Sequence, residues 1–192
     1  MKIFSFLYDK TMQWSRHAHA PWYLGGLSFA ESSFFPIPPD VMLAPMSLAN
    51  PHRAWYLAFI TTVTSVLGGI LGYAIGMWGF ELIEAWLVQS SYHGKFLQAQ
   101  DWFAEWGFWA IFIAGFSPIP YKVFTITAGV IGMMFLPFVI ASFIGRGARF
   151  FLVAGLMAWG GESMEVKLRQ WVDGLGWATV VILLIAIGIY KF

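Results

Sequence analysis

The chain has 192 residues, of which 59% are hydrophobic and 11% charged, with a mean hydropathy of +0.68; soluble domains carry roughly 25% charged residues, so water is not its main solvent and intrinsic disorder is excluded. A net charge of +1 with scattered Lys and Arg gives no basic stripe that could follow a phosphate backbone, which argues against a nucleic-acid partner. The absence of Cys excludes disulfides, iron–sulfur clusters, thiolate haem and Cys-type zinc sites.

Residues 1–20 carry Lys2, Asp9, Lys10 and Arg16 among apolar side chains. They lack the unbroken apolar core and cleavage site of a signal peptide and suit an amphipathic helix at the membrane surface. His17 and His19 offer too few ligands for a metal site and fit the same interfacial segment. Residues 21–50 are apolar but broken by Pro36, Pro38, Pro39 and Pro45. Residues 54–80 hold no charged side chain, and about 20 apolar residues suffice to cross a bilayer. Gly68, Gly69, Gly72, Gly76 and Gly79 recur along this span at roughly helical spacing, as on a close-packing face. Residues 81–105 alternate charge with Trp, Leu and Phe, as interfacial helices or loops do. Residues 106–134 form a second apolar stretch broken by Pro118 and Pro120. After Pro137 a second spanning helix must run past Arg146 and Arg149 to about Gly160. Residues 162–173 are again interfacial in character, and 174–190 form a third apolar span.

Neither proline-broken stretch can be one straight helix, because proline lacks a backbone donor and clashes with the preceding turn. Irregular backbone at membrane depth needs protein or a water-filled cavity around it. Two re-entrant hairpins, each a pair of half-helices meeting at a proline-rich tip (Pro36, Pro38 and Pro39; Pro118 and Pro120), meet that requirement. The two stretches also align at one offset, which lays Pro36 on Pro118, Gly25 on Gly107, Phe34 on Phe116 and Gly79 on Gly161. A duplicated unit that crosses once must insert its second copy upside down, as in the inverted repeats of secondary transporters. The expected architecture is an all-α integral membrane domain over 1–192: an interfacial helix (1–20), repeat 1 (21–80), repeat 2 (104–161) and a last transmembrane helix (174–191). Lys2, Lys10, Arg16, Arg53, Lys167 and Arg169 fall on one side and Lys95 and Lys191 on the other, which predicts a cytoplasmic N-terminus.

Five ionisable residues lie inside the apolar segments: Glu31, Asp40, Lys122, Arg146 and Arg149. Such groups cost several kcal/mol on insertion scales and are functional candidates by default. The acids sit in the first repeat and the bases in the second, so tips that meet would set opposite charges face to face. The plainer reading is an ion pair that only holds the bundle together. In the functional reading, Lys122, Arg146 and Arg149 join the positive end of a half-helix to bind a phosphate-bearing ligand. Carboxylates leaving water take up protons more readily, and a cationic neighbour reverses this, so Glu31 and Asp40 are the proton-coupling candidates. A membrane enzyme would need a nucleophile or base beside the arginines, and neither His nor Cys is available within the membrane segments; no catalytic residue, cofactor or metal is expected.

The run from Glu31 through Phe35-Pro36-Ile37-Pro38-Pro39-Asp40, then Gly115-Phe116-Ser117-Pro118-Ile119-Pro120 with Ala128-Gly129, then Gly145-Arg146-Gly147-Ala148-Arg149-Phe150 resembles the DedA family, also called the SNARE-associated Golgi or VTT-domain family, and is most similar to its YqaA-like branch. The resemblance spans roughly residues 20–160. It implies a multi-pass inner-membrane protein with two opposed re-entrant hairpins. It also implies lipid transport, with undecaprenyl phosphate or a phospholipid as substrate and protons as the coupling ion. In larger members of that family the second hairpin carries an arginine soon after its Pro, in a Phe-x-Pro-x-x-Arg setting; here Pro120-Tyr121-Lys122 stands in that region, and lysine keeps the charge but not the two-pronged grip. A proton-coupled ion or drug antiporter, and an assembly protein without transport activity, are the alternatives left open. The sequence is also compatible with a homo-oligomer.

Overall fold

The structure is a computed structural model that describes residues 19–35, 37–89, 93–117 and 120–160. Most of the expected interfacial helix (1–20), the interfacial stretch 162–173 and the last span (174–191) lie outside the described residues, as do Pro36 and Pro118.

All regular structure among the described residues is helical. Helix α1 (Ala20–Ser33) opens with Pro21 in its first turn, where a missing N–H costs nothing. Its end is closed by the N–H groups of Phe34 and Phe35, both donating to the Ala30 carbonyl. Helix α2 (Asp40–Ala49) starts directly after Pro39, with Asp40 in its first turn, where a carboxylate suits the positive end of the helix. A short 3-10 turn, Pro51–Arg53, leads into α3 (Ala54–Gln89). At 1.5 Å per residue its 36 residues extend about 54 Å, well beyond the roughly 30 Å of a hydrocarbon core. Helix α4 (His93–Phe116) is followed by Pro120 and α5 (Tyr121–Ile131). Gly132, at φ 74°, ends α5 in the left-handed conformation that glycine adopts most readily. Helix α6 (Phe135–Gly160) carries Pro137 in its first turn.

Both proline-bearing interruptions therefore fall where the sequence puts them, each directly ahead of a new helix. Pro45 is the exception, since α2 runs through it. Its ring is fully buried, and packing offsets the one backbone bond it removes. Helix α4 also begins at His93, well before the expected limb at 106, because its polar–aromatic first half has partners inside the bundle. Phe96 stacks on Phe80 at 5.1 Å, and Gln100 donates to the Ile131 carbonyl at 3.0 Å.

The glycines of α3 bring neighbouring helices to backbone contact. A Cβ at Gly68 would lie 2.1 Å from the Phe29 carbonyl oxygen of α1, and one at Gly76 2.0 Å from that of Ile126 in α5. From the α5 side, a Cβ at Gly129 would lie 2.0 Å from the Tyr73 carbonyl oxygen. Helices α4 and α6 close on each other in the same way at Gly145, beside the Phe112 carbonyl. Two apolar clusters result. One joins Leu24, Leu43, Met46, Leu57 and Phe150; the other joins Phe103, Ile111, Tyr121, Ile131 and Phe138. Helix α6 reaches into both, with Arg146 between Phe138 and Phe150. Pro51–Leu82 and Phe135–Gly160 are long and apolar enough to cross a membrane. The outer surface carries exposed Trp22, Phe59, Leu67, Trp109, Ile113 and Phe143, more apolar area than a water-facing surface sustains.

Candidate functional site: two ion pairs across the halves of the chain

Arg146, on α6, is 3% exposed and pairs with Glu31 of α1, itself 12% exposed. One guanidinium edge donates from NH2 to Glu31 Oε2 at 2.5 Å. The other edge donates from Nε to Ser65 Oγ of α3 at 2.6 Å. The guanidinium faces the Tyr121 ring at 4.9 Å and the Phe150 ring at 4.6 Å, so the cation has aromatic faces where water would otherwise be. Tyr121 is in turn held by its hydroxyl against Ser142 Oγ at 2.5 Å.

The hydroxyls complete a ring. Ser32 Oγ donates to Glu31 Oε2 at 3.1 Å, and Ser32 and Ser65 lie 2.7 Å apart. A carboxylate only accepts, so Ser32 gives its hydrogen to Glu31. The hydrogen between the two serines is then that of Ser65, and Ser65 accepts from Arg146. Arg146 NH2 also reaches Ser32 Oγ at 3.3 Å, so the guanidinium, the carboxylate and both serines form one hydrogen-bonded network, the kind of setting in which a buried charged group is tolerated.

The second pair is more open. Arg149 NH2 donates to Asp40 Oδ2 at 2.8 Å, with side chains 18% and 22% exposed respectively. Arg149 NH1 donates to the Ser117 carbonyl at 2.5 Å. One guanidinium thus grips the start of α2, after the first proline-bearing interruption, and the end of α4, before the second. Lys122 adds another tie: its Nζ donates to the Phe35 carbonyl at 3.2 Å. The two interruptions are held against each other by cations of the second half. Asp40 Oδ1 is buried without a hydrogen-bond partner, so this pair is less fully satisfied than the inner one.

All five ionisable residues singled out in the sequence thus gather in one region, each acid with its own arginine and Lys122 on a backbone carbonyl. Pro39 and Pro120 sit at the helix starts beside it. Among the described residues, no group of three His, Cys, Asp or Glu could hold a metal ion. Sequence reasoning missed Ser32, Ser65, Tyr121 and Phe150, which shape the arginine's surroundings. The available signal was the hydroxyl run Thr61, Thr62, Thr64 and Ser65 inside an apolar span.

The VTT domain family model matches residues 37–159. The chain is 52% identical over 191 residues to an uncharacterized protein of Haemophilus influenzae and 49% identical over 191 residues to one of Histophilus somni, each alignment covering all of both chains. It is 31% identical over 121 residues to undecaprenyl phosphate transporter A of Staphylococcus aureus, spanning 57% of this chain and 58% of that one. No solved structure matches. With helices able to cross a bilayer and a family match that includes Asp40, Lys122, Arg146 and Arg149, the chain is a membrane protein and belongs to the VTT-domain, or DedA, family.

Proposed function

We propose that this protein carries a phosphate-headed lipid between membrane leaflets, with undecaprenyl phosphate as the first candidate and protons as the coupling ion. In this reading the proline-broken helix pairs are opposed re-entrant hairpins of an inverted repeat, set in the inner membrane with a cytoplasmic N-terminus. Arg146, Arg149 and Lys122 take the head group, and Glu31 and Asp40 hold the arginines when it is absent.

The observation that carries the reading is the pairing itself. Both acids come from the first half and both arginines from the second, and Arg149 and Lys122 tie the two interruptions together. Any path through this region must break those ties. A phosphate can replace a carboxylate on a guanidinium edge, and a proton on the released carboxylate removes the cost of leaving a bare charge in a dry site. The likeness to the staphylococcal undecaprenyl phosphate transporter supports the choice of substrate.

The test is reconstitution into vesicles with undecaprenyl phosphate in one leaflet, following its appearance in the other across a range of pH. Transport by the natural protein that is lost in Arg146→Ala is expected. No acceleration over protein-free vesicles would overturn the proposal. Full pH dependence retained by both Glu31→Gln and Asp40→Asn would remove the proton-coupling part.

A further inference from the structure

Ser65 stands apart among the four hydroxyls at positions 61–65 of α3. Thr61, Thr62 and Thr64 each donate to the carbonyl four residues earlier, on Leu57, Ala58 and Ile60, which satisfies a hydroxyl within its own helix. Ser65, fully buried, turns outward to two other helices, accepting from Arg146 Nε and pairing with Ser32.

We infer that Ser65 is a positioning residue that keeps the Nε edge of Arg146 fixed while its NH2 edge passes from the Glu31 carboxylate to an anionic head group. This rests on the reading that Arg146 meets the phosphate of a lipid. NH2 is shared between Glu31 Oε2 at 2.5 Å and Ser32 Oγ at 3.3 Å; of these two, Glu31 is the anion that a head group would replace. The rings of Tyr121 and Phe150 lie 4.9 and 4.6 Å from the guanidinium carbon, but a ring contact is not directed at any one nitrogen. The Ser65 bond is directed at Nε and, at 2.6 Å, is much shorter than the 3.3 Å contact of NH2 with Ser32, so it is the stronger of the two hydroxyl restraints. Without it, the arginine released by Glu31 would need to be ordered again by each incoming ligand. The penalty then falls on binding rather than on the movement that follows.

The test is the transport of undecaprenyl phosphate in vesicles of phosphatidylethanolamine and phosphatidylglycerol, measured against substrate concentration. Four forms are compared: the natural protein, Ser65→Ala, Ser65→Cys, which fills the same space with a weak acceptor, and Ser65→Thr, which restores the hydroxyl. Loss of one hydrogen bond to a charged group is expected to raise KM about tenfold in the Ala and Cys variants with kcat near that of the natural protein. The Thr variant is expected to return KM toward the natural value. An unchanged KM in the Cys variant, a fall in kcat alone, or a Thr variant as impaired as Cys would overturn the inference. Transport by the natural protein that is lost in Arg146→Ala, with Ser65→Cys unaffected, sinks this inference alone. No transport by the natural protein sinks the functional reading, and this inference with it.

Discussion

Removing Arg146 and Glu31 singly and together separates what their pair does for the fold from what it does for transport. Arg146→Met leaves the Glu31 carboxylate, 12% exposed, with only the Ser32 hydroxyl, and breaking one side of a buried pair costs about 3–5 kcal/mol. At about 2–4 °C per kcal/mol for a chain of this size, the unfolding midpoint falls by roughly 10 °C. Glu31→Met strands the cation and has a similar effect, moderated by the two ring faces. Glu31→Gln retains an oxygen that accepts from NH2 and loses only the charge component, about 1–2 kcal/mol. In the double variant Glu31→Met with Arg146→Met no charge is left behind. Ser32 and Ser65, 2.7 Å apart, still satisfy each other, so stability returns to within about 1 kcal/mol of the natural protein. The intrinsic fluorescence of the 11 Trp reports unfolding of the purified protein in detergent. A double variant as unstable as the sum of the two single losses would refute the pairing, and a double variant that still transports would refute its functional use.

Asp40→Asn and Arg149→Lys are expected to change the unfolding midpoint little, about 1 kcal/mol or less, because that pair is partly exposed. Arg149→Lys is nevertheless expected to lower vesicle transport, since one ammonium cannot hold both Asp40 and the Ser117 carbonyl as a planar fork does. Gly129→Ala and Gly76→Ala would place a Cβ 2.0 Å from a carbonyl oxygen; each is expected to cost at least about 1–3 kcal/mol of overpacking and to reduce recovery of folded protein on gel filtration. Gly26→Ala, with open space around it, serves as the neutral control. Tyr121→Phe loses the bond to Ser142 and about 1 kcal/mol, whereas Tyr121→Ala also removes the ring over Arg146 and costs about 3–5 kcal/mol; thermal unfolding ranks the two.

What the sequence reveals here is governed by how local each signal is. Charges inside an apolar span, prolines that must interrupt a helix, and glycines on one helical face are properties of short stretches, and Glu31, Arg146, Pro39 and Gly76 can be picked out without a fold. Partner choice is not local. Glu31 meets Arg146 at a separation of 115 residues, and nothing in either neighbourhood distinguishes that pairing from Glu31 with Arg149. The role of Ser65 is hidden for a related reason: four hydroxyls in five positions look alike, and only the position of α6 selects the one that turns away from its own helix. Pro45 misleads because its effect on a helix depends on how its ring is packed. The early start of α4 is obscured because polar–aromatic alternation reads as interfacial until Phe80 and Ile131 are known to lie beside it.

The choice of cation at each position follows from the number of directions it must serve. Arg146 answers to two helices at once, Glu31 on α1 through one edge and Ser65 on α3 through the other, with the Tyr121 and Phe150 rings against it. Only a flat group with donors on separate edges can do that. Arg149 likewise divides its two terminal nitrogens between a carboxylate and a carbonyl from different halves of the chain. Lys122 serves one carbonyl, for which a single ammonium on a flexible stem is sufficient. The arginines are therefore constrained from more than one side and the lysine is not. A rearrangement that frees Lys122 breaks one hydrogen bond, whereas one that frees either arginine must break an ion pair and at least one further hydrogen bond.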